Sequence, residues 1–255
     1  MNGWGALLWF LVGLTILAGL SRWMSGLVQG VGWLLFGDER AAFLLTYVVF
    51  FPGIVLHELS HWVMAWLLGM RPRQLSLWPR VYGRRVEMGS VRMRSGGPLR
   101  DSLTGLAPLL VGSLILLLVS YRIFDAAVLR QAWSRDGFGA AWGAFWAAFR
   151  VPNAWLWAYL VFAVSNAMLP SPADRRPLLP LLLYVVIVGL AFYLIGWLPR
   201  LVLPADVMVQ VAGALRTLST AFAFTIALDV LIALPLLAVQ LLFLLFRPGD
   251  SRLMR

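Results

Sequence analysis

Three ionisable side chains stand close together in an otherwise apolar stretch, GIVLHELSHWVMAW, at residues 53–66. His57 and His61 are four residues apart and are the only histidines in the chain, and Glu58 follows the first of them. On a helix, positions i and i+4 project side by side, so both imidazoles can bind one metal ion. Glu58 would then be close enough to reach a water on that ion without being a ligand.

This H-E-x-x-H spacing is typical of zinc hydrolases, in which the zinc lowers the pKa of a water to about 7 and the glutamate acts as general base. The alternative is that these are ordinary polar residues with no catalytic or metal-binding role. Ionisable groups inside a membrane span cost about 2.5–3.5 kcal/mol each on insertion scales, so they are seldom kept without a task. Catalytic zinc usually takes three protein ligands. Because the chain has no cysteine, a carboxylate is expected as the third.

At this point the chain resembles the site-2 protease family of intramembrane zinc metalloproteases. That family has H-E-x-x-H inside a span, and a second motif in a later span supplies the third zinc ligand. The second motif is N-x-x-P followed by a proline-rich turn and Asp-Gly, and SNAMLPSPADRR at 165–176 is similar to it. The resemblance implies that one Zn²⁺ is held by His57, His61 and Asp174. It also implies that Glu58 is the general base and that Asn166 holds the scissile carbonyl or its oxyanion.

The second motif matches in part. Asn166 and Asp174 keep the family's eight-residue separation, and Pro172 matches the proline-rich turn. Pro170 stands one place later than usual, and Arg175 stands where the family commonly has glycine. The resemblance covers most of 40–176.

Composition places these motifs in a membrane protein. The chain has 255 residues, of which 61% are hydrophobic and 13% charged, and its mean hydropathy is +0.84. Soluble domains are only about 45–50% apolar. The formal charge of +10 does not indicate a nucleic-acid partner, because little of the chain lies outside apolar runs. All 21 basic residues are arginine, as is common in GC-rich genomes, which favours a bacterial plasma membrane.

The elements that must position the motifs are membrane helices. Apolar runs of spanning length predict six of them, at 4–20, 42–69, 103–121, 153–169, 178–198 and 218–246. We therefore expect an all-α polytopic membrane protein with a single domain over 1–255, and a first span that is retained rather than cleaved as a signal peptide. Three further segments are expected to lie at the membrane surface: an interfacial or re-entrant piece at 24–40, a short β-hairpin within 71–100, and an amphipathic helix at 125–150.

The arginines predict the orientation. Eight of them fall within 71–100 against one acid, Glu87. The positive-inside rule then places this stretch, and with it both chain termini, in the cytoplasm. Spans two and four would both end at that face, so Asp174 would enter the same leaflet as His57 and His61.

The function expected from this resemblance is an intramembrane zinc endopeptidase. It would cleave a peptide bond in or near the transmembrane helix of a protein substrate within the lipid bilayer. Two alternatives stay open: a membrane zinc hydrolase whose third ligand is a glutamate on a later helix, and a scaffold or subunit that keeps the fold and the metal but cleaves nothing. Only Glu87 lies downstream for the first alternative. Asp229, deep in the sixth span, is a further functional hypothesis, and Pro235 beside it is expected to kink that helix.

Overall fold

The computed structural model describes residues 3–82, 85–87, 89–196 and 204–246. Within these residues the chain forms eight helices and four short strands. In chain order they are α1 (Gly3–Phe36), α2 (Glu39–Leu67), β1 (Gln74–Ser76), β2 (Arg80–Tyr82), β3 (Arg85–Glu87), β4 (Ser90–Arg92), α3 (Pro98–Arg122), α4 (Ala126–Ala148), α5 (Ala154–Ala167), α6 (Pro172–Arg175), α7 (Leu178–Leu194) and α8 (Ala205–Phe246).

The helices confirm an all-α membrane protein. Five of the described stretches are long and apolar enough to cross a bilayer: Trp4–Phe36, Glu39–Leu67, Pro98–Arg122, Pro172–Leu194 and Asp206–Phe243. The predicted fourth span is the shorter apolar helix α5. At 1.5 Å per residue α5 is about 21 Å long, less than the ~30 Å hydrocarbon core, so one of its ends is expected to lie inside the membrane.

The first and last helices are longer than predicted. The prediction of a separate interfacial or re-entrant segment at 24–40 is wrong, because α1 continues without a break to Phe36. The glycines that suggested a break are packing positions: a Cβ at Gly32 would lie 2.8 Å from the Cα of Ala42, and one at Gly30 would meet the side chain of Gln240. Small residues let membrane helices approach closely. The last helix begins at Ala205, not at 218.

The predicted hairpin is present after α2. β1 pairs with β4 and β2 pairs with β3, both antiparallel, with Leu75 opposite Val91 and Val81 opposite Val86. The sequence Val81-Tyr82-Gly83 resembles a turn, but Val81 and Tyr82 belong to β2; residue 83 lies outside the described residues. The Tyr47 hydroxyl donates to the carbonyl of Leu77 at 2.7 Å and so ties the hairpin to α2.

The amphipathic helix expected at 125–150 is α4, which is broken at Gly137 (φ 78°, ψ −160°). Its aromatic stripe is a packing feature. Phe145 is buried and packs against Phe224 of α8 with 5.5 Å between ring centroids. Trp142 and Trp146 remain exposed on the outer side.

Two buried apolar clusters hold the helices together. The first joins α1, α3, α4, α5 and α8, and the second joins α1, α2, α5 and α8. α5 belongs to both, and its residues 161–165 are almost fully buried. The short helix α5 is therefore surrounded by longer ones, and this fixes where its C-terminal end lies against α2.

Candidate metal centre

The two histidines and Asp174 come together at one point, although α6 lies more than a hundred residues after α2 in the chain. His57 Nε2 and His61 Nε2 are 3.1 Å apart. The Asp174 carboxylate faces both, with Oδ1 at 3.2 Å from His61 Nε2 and Oδ2 at 3.6 Å from His57 Nε2. Among the described residues this is the group of three that could hold a metal ion.

Each histidine is oriented through its other ring nitrogen. His57 Nδ1 lies 2.7 Å from the carbonyl oxygen of Ala167, and His61 Nδ1 lies 2.8 Å from that of Thr104. A carbonyl oxygen can only accept, so both Nδ1 atoms carry the proton and donate it. In the neutral rings the two Nε2 lone pairs then point at each other and at a carboxylate. This arrangement calls for a shared cation, and it is the way metal-ligating histidines are usually held.

The end of α5 makes the first of these contacts possible. Ala167 is its last residue, and the backbone N–H of Ser171, which would continue the helix by bonding to Ala167, instead donates to Asp174 Oδ2 at 2.8 Å. The Ser171 hydroxyl accepts in return from the N–H of Asp174 at 3.3 Å. This capping box leaves the Ala167 carbonyl to His57 and turns the Asp174 carboxylate toward the histidines.

Two glycines let the elements of the site come close enough. A Cβ at Gly53 of α2 would collide with the carbonyl oxygen of Ala163 in α5, and a Cβ at Gly105 of α3 would collide with that of Asp174. The first contact brings α2 to α5, and the second brings α6 to α3. With a larger residue at these positions, neither pair of helices could approach as closely.

Glu58 lies in the same turn of α2 as His57 and is buried, with 8% of its surface exposed. The hairpin reaches it: a Cβ at Gly89 would lie 2.8 Å from Glu58 Oε1 and 2.6 Å from its Cγ. Gly89, which directly precedes β4, therefore lies against the Glu58 side chain, and a larger residue there would require that side chain to shift.

Asn166 lies next to the carbonyl that orients His57. Its amide Nδ2 donates to Phe162 O at 2.9 Å and to Ser165 Oγ at 3.3 Å, while its buried Oδ1 has no hydrogen-bond partner among the residues that the structure describes. Its own carbonyl accepts from Ser21 of α1 at 2.8 Å. An oxygen of a substrate would have to compete with Phe162 and Ser165 for the amide hydrogens of Asn166.

Asp229 is separate from the metal-binding group. It is 1% exposed in the middle of α8, and the Ser165 hydroxyl lies 3.2 Å from its Oδ2. Asp174 is thus the aspartate beside the histidines, whereas Asp229 belongs to a polar contact between α8 and α5. Glu87, the glutamate considered for the alternative hydrolase, lies in β3.

Arg175, which replaces the glycine common in the resembled family, lies in the helical turn of α6. Helical backbone suits any L-residue, so this position does not require glycine. Sequence reasoning missed Thr104, Ala167 and Ser171, which act through backbone groups. A partial signal for Ser171 exists, since Ser-Pro-x-Asp is a helix start with a carboxylate at its third position.

The donor set fits a metal ion: two imidazole nitrogens and one carboxylate oxygen lie within 4.8 Å of one another, and all three side chains are oriented by backbone contacts. Comparison of the chain with protein-family models, with curated proteins and with solved structures gave no match.

Proposed function

We propose that the protein is a zinc-dependent intramembrane endopeptidase, similar in its chemistry to the site-2 protease family, which cleaves a peptide bond in or near the transmembrane helix of a substrate. The observation that carries the proposal is the pair of inward-facing Nε2 atoms, 3.1 Å apart and next to Asp174, with Glu58 buried in the same turn of a membrane helix. An ionisable residue inside a membrane helix is costly and is seldom kept without a task.

Zinc is the ion that this donor set suits. Tetrahedral zinc with ligand bonds of about 2.0–2.2 Å has ligand atoms roughly 3.3–3.6 Å from one another. The two Nε2 atoms are 3.1 Å apart, Asp174 Oδ1 lies 3.2 Å from His61 Nε2, and Oδ2 lies 3.6 Å from His57 Nε2. His57, His61 and Asp174 would hold the zinc, and three protein ligands would leave room for a water. When bound, zinc supplies Lewis acidity, which makes a water more acidic and polarises a carbonyl.

The residues of the chain supply the remaining steps. Glu58 accepts a proton from the attacking water as its oxygen bonds to the peptide carbon, and it passes that proton to the amide nitrogen as the C–N bond breaks. Thr104 and Ala167 keep the imidazoles turned with Nε2 inward. The low exposure of Glu58 excludes bulk water, which strengthens the electrostatic interactions in the site.

A substrate helix must unwind before it can react, because its carbonyls are hydrogen-bonded within the helix. The hairpin offers a place for the unwound strand. Each of its two ladders contains two strands, so a strand has one edge to which an extended segment can add by β-augmentation. The proposed location is a bacterial plasma membrane. The arginines of 71–100 favour the cytoplasmic side for the hairpin, the site and both termini.

Metal analysis and hydrolysis of three purified proteins test the proposal. The unsubstituted protein and Glu58→Gln should each retain about one zinc per chain, whereas His61→Ala should lose it because a ligand is removed. Of the three, only the unsubstituted protein should cleave members of a panel of single-span proteins. Zinc retained by His61→Ala and by a matching His57→Ala would contradict the metal site, and iron in place of zinc would contradict zinc as its metal.

The second candidate is a scaffold that keeps the fold and the metal but cleaves nothing. The contact of Gly89 with Glu58 favours it, because the general base is covered. A scaffold would tolerate Glu58→Gln in the cell, whereas a protease would lose its function. Zinc binding without cleavage of any substrate, combined with a tolerated Glu58→Gln, would therefore select the scaffold.

A further inference from the structure

The carbonyl that orients His61 is in the interior of a helix, where carbonyls normally have a partner. In an α-helix the N–H of residue i donates to the carbonyl of residue i−4. Thr104 lies within α3, so its partner would be the N–H of residue 108. That residue is Pro108, which has no N–H, and α3 continues past it to Arg122.

The freed carbonyl is used by the metal centre. Thr104 O accepts from His61 Nδ1 at 2.8 Å, and both Pro108 and His61 are buried, away from water that could otherwise satisfy the carbonyl. The same logic holds at the end of α5. There Pro170 leaves the carbonyl of Asn166 without its helical donor, and the Ser21 hydroxyl of α1 donates to it at 2.8 Å.

We propose that Pro108 is a positioning residue for the metal centre: by withholding a backbone donor, it reserves the Thr104 carbonyl for His61 and thereby fixes Nε2 of that ring as the metal-binding atom. A residue with an N–H at 108 would close the helical hydrogen bond and compete with His61 Nδ1 for the same oxygen. The ring would lose its fixed orientation. This inference rests on the proposed zinc centre and adds a residue that touches neither zinc nor substrate.

The test compares residues at 108 that differ in the N–H alone. Pro108→Ala restores the N–H, whereas lactic acid at 108, the α-hydroxy analogue of alanine, has an ester oxygen in its place. Pro235→Ala is the control, since it makes the same change inside α8. The carbonyl that Pro235 frees is that of Leu231, and the two histidines donate elsewhere. Zinc affinity is measured for each full-length protein by competition with a chelator in one detergent.

Pro108→Ala should bind zinc at least about 10-fold more weakly than the unsubstituted protein, the usual loss when a partner of a metal-binding histidine is disturbed. The lactic acid variant and Pro235→Ala should both bind zinc as the unsubstituted protein does. A second readout uses the fact that the chain has two histidines. In zinc-loaded protein with ¹⁵N-labelled histidine, the Nδ1–H of His61 should exchange with water faster in Pro108→Ala, while that of His57 stays unchanged.

Equal zinc affinity and equal His61 exchange in Pro108→Ala would overturn the inference. So would a lactic acid variant as weak as the alanine variant, since the ring of proline and not its missing N–H would then be responsible. An unsubstituted protein that holds no zinc would instead contradict the proposed function itself, so the two failures are distinguishable.

Discussion

The carboxylate of Asp174 is oriented by its own helical turn. Ser171 N donates to Oδ2 while Oδ1 faces His61 Nε2, so each oxygen has a defined direction. Immobilising a side chain on binding costs about 0.5–1.5 kcal/mol. Because the helical turn α6 already orders the Asp174 side chain in the folded protein, part of this cost does not arise when a metal ion binds. The consequence is a carboxylate whose orientation is fixed before any metal ion binds.

Two aspartate variants test which acid completes the site. Asp174→Asn should lower zinc affinity by at least about 10-fold, equivalent to ~1.4 kcal/mol, because a neutral amide is a poor zinc ligand. Asp229→Asn also removes one carboxylate and keeps its shape. It should leave zinc in place, since Asp229 contacts Ser165 and not the histidines. Chelator competition on both proteins gives the ranking.

The reverse ranking of the two asparagine variants would move the ligand role to α8. It would also remove the main support for resemblance to the site-2 protease family beyond the histidine motif. Loss of turnover without loss of zinc in Asp229→Asn would indicate that this acid has a functional role other than binding the metal.

At this scale the sequence predicted which three side chains come together better than it predicted their surroundings. The i, i+4 spacing alone places His57 beside His61, and the second motif identified Asp174. The roles of the Thr104 and Ala167 carbonyls could not be predicted, because every residue has a carbonyl. Which carbonyls face the histidines depends on how the neighbouring helices pack against α2. The amide hydrogens of Asn166 also bond within α5, a contact that the motif does not reveal.

Close packing between elements is concentrated where the site is assembled. Gly53 brings α2 against Ala163 of α5, Gly105 brings α3 against Asp174, and Gly112 brings α3 against Met168. All three contacts fall on the segment between 163 and 174. Glycines, which have no side chain, thus position the helices of the candidate site as much as apolar side chains do.

Substituting one of these glycines should disturb zinc binding without removing a ligand. Gly105→Ala adds a Cβ that collides with the Asp174 carbonyl, and overpacking of this kind costs about 1–3 kcal/mol. If the strain falls on α6, zinc affinity should drop by roughly 10-fold. The control is Gly189→Ala in α7, where a Cβ has no atom within 4 Å.

Gly189→Ala should keep zinc affinity unchanged and raise the thermal stability slightly, since alanine is favoured over glycine in a helix by about 0.5–1 kcal/mol. Unchanged zinc binding in Gly105→Ala, measured beside this control, would show that α6 can shift without moving the Asp174 carboxylate.

Element type was predictable and element length was not. Apolar runs identified the membrane helices, and period-two alternation identified the hairpin. The start of α8 at Ala205 was missed because its first residues are of mixed polarity. Glycines in α1 were interpreted as breaks, although Gly30 and Gly32 are close contacts with α8 and α2. A single sequence does not distinguish a glycine that ends a helix from one that packs it.

At the scale of the whole molecule, the charge asymmetry predicts which side of the membrane faces the cytoplasm. The chain has no cysteine, so single cysteines can report on this directly. Gln74→Cys places one at an exposed position of β1, and Ser134→Cys places one at an exposed position of α4, on the connection between α3 and α5. One crossing by α3 separates the two positions.

In intact cells a membrane-impermeant thiol reagent should label Ser134→Cys and leave Gln74→Cys unlabelled until the cells are lysed, because the arginine-rich hairpin is retained inside. The opposite pattern would reverse the orientation and put the metal centre in the other leaflet. Labelling of both positions in intact cells would contradict α3 as a span.

In the endopeptidase proposed above, the contact of Gly89 with Glu58 would make the hairpin and a substrate compete for one surface. A peptide that reaches the general base has to take the place of Gly89, so the free energy that keeps the hairpin closed is subtracted from the affinity of every substrate. The apparent Kd is raised by the reciprocal of the open fraction. Substrate selection would then depend on a threshold in binding free energy. A substrate segment that binds the edge of the hairpin too weakly would not displace Gly89 from Glu58, whatever its side chains.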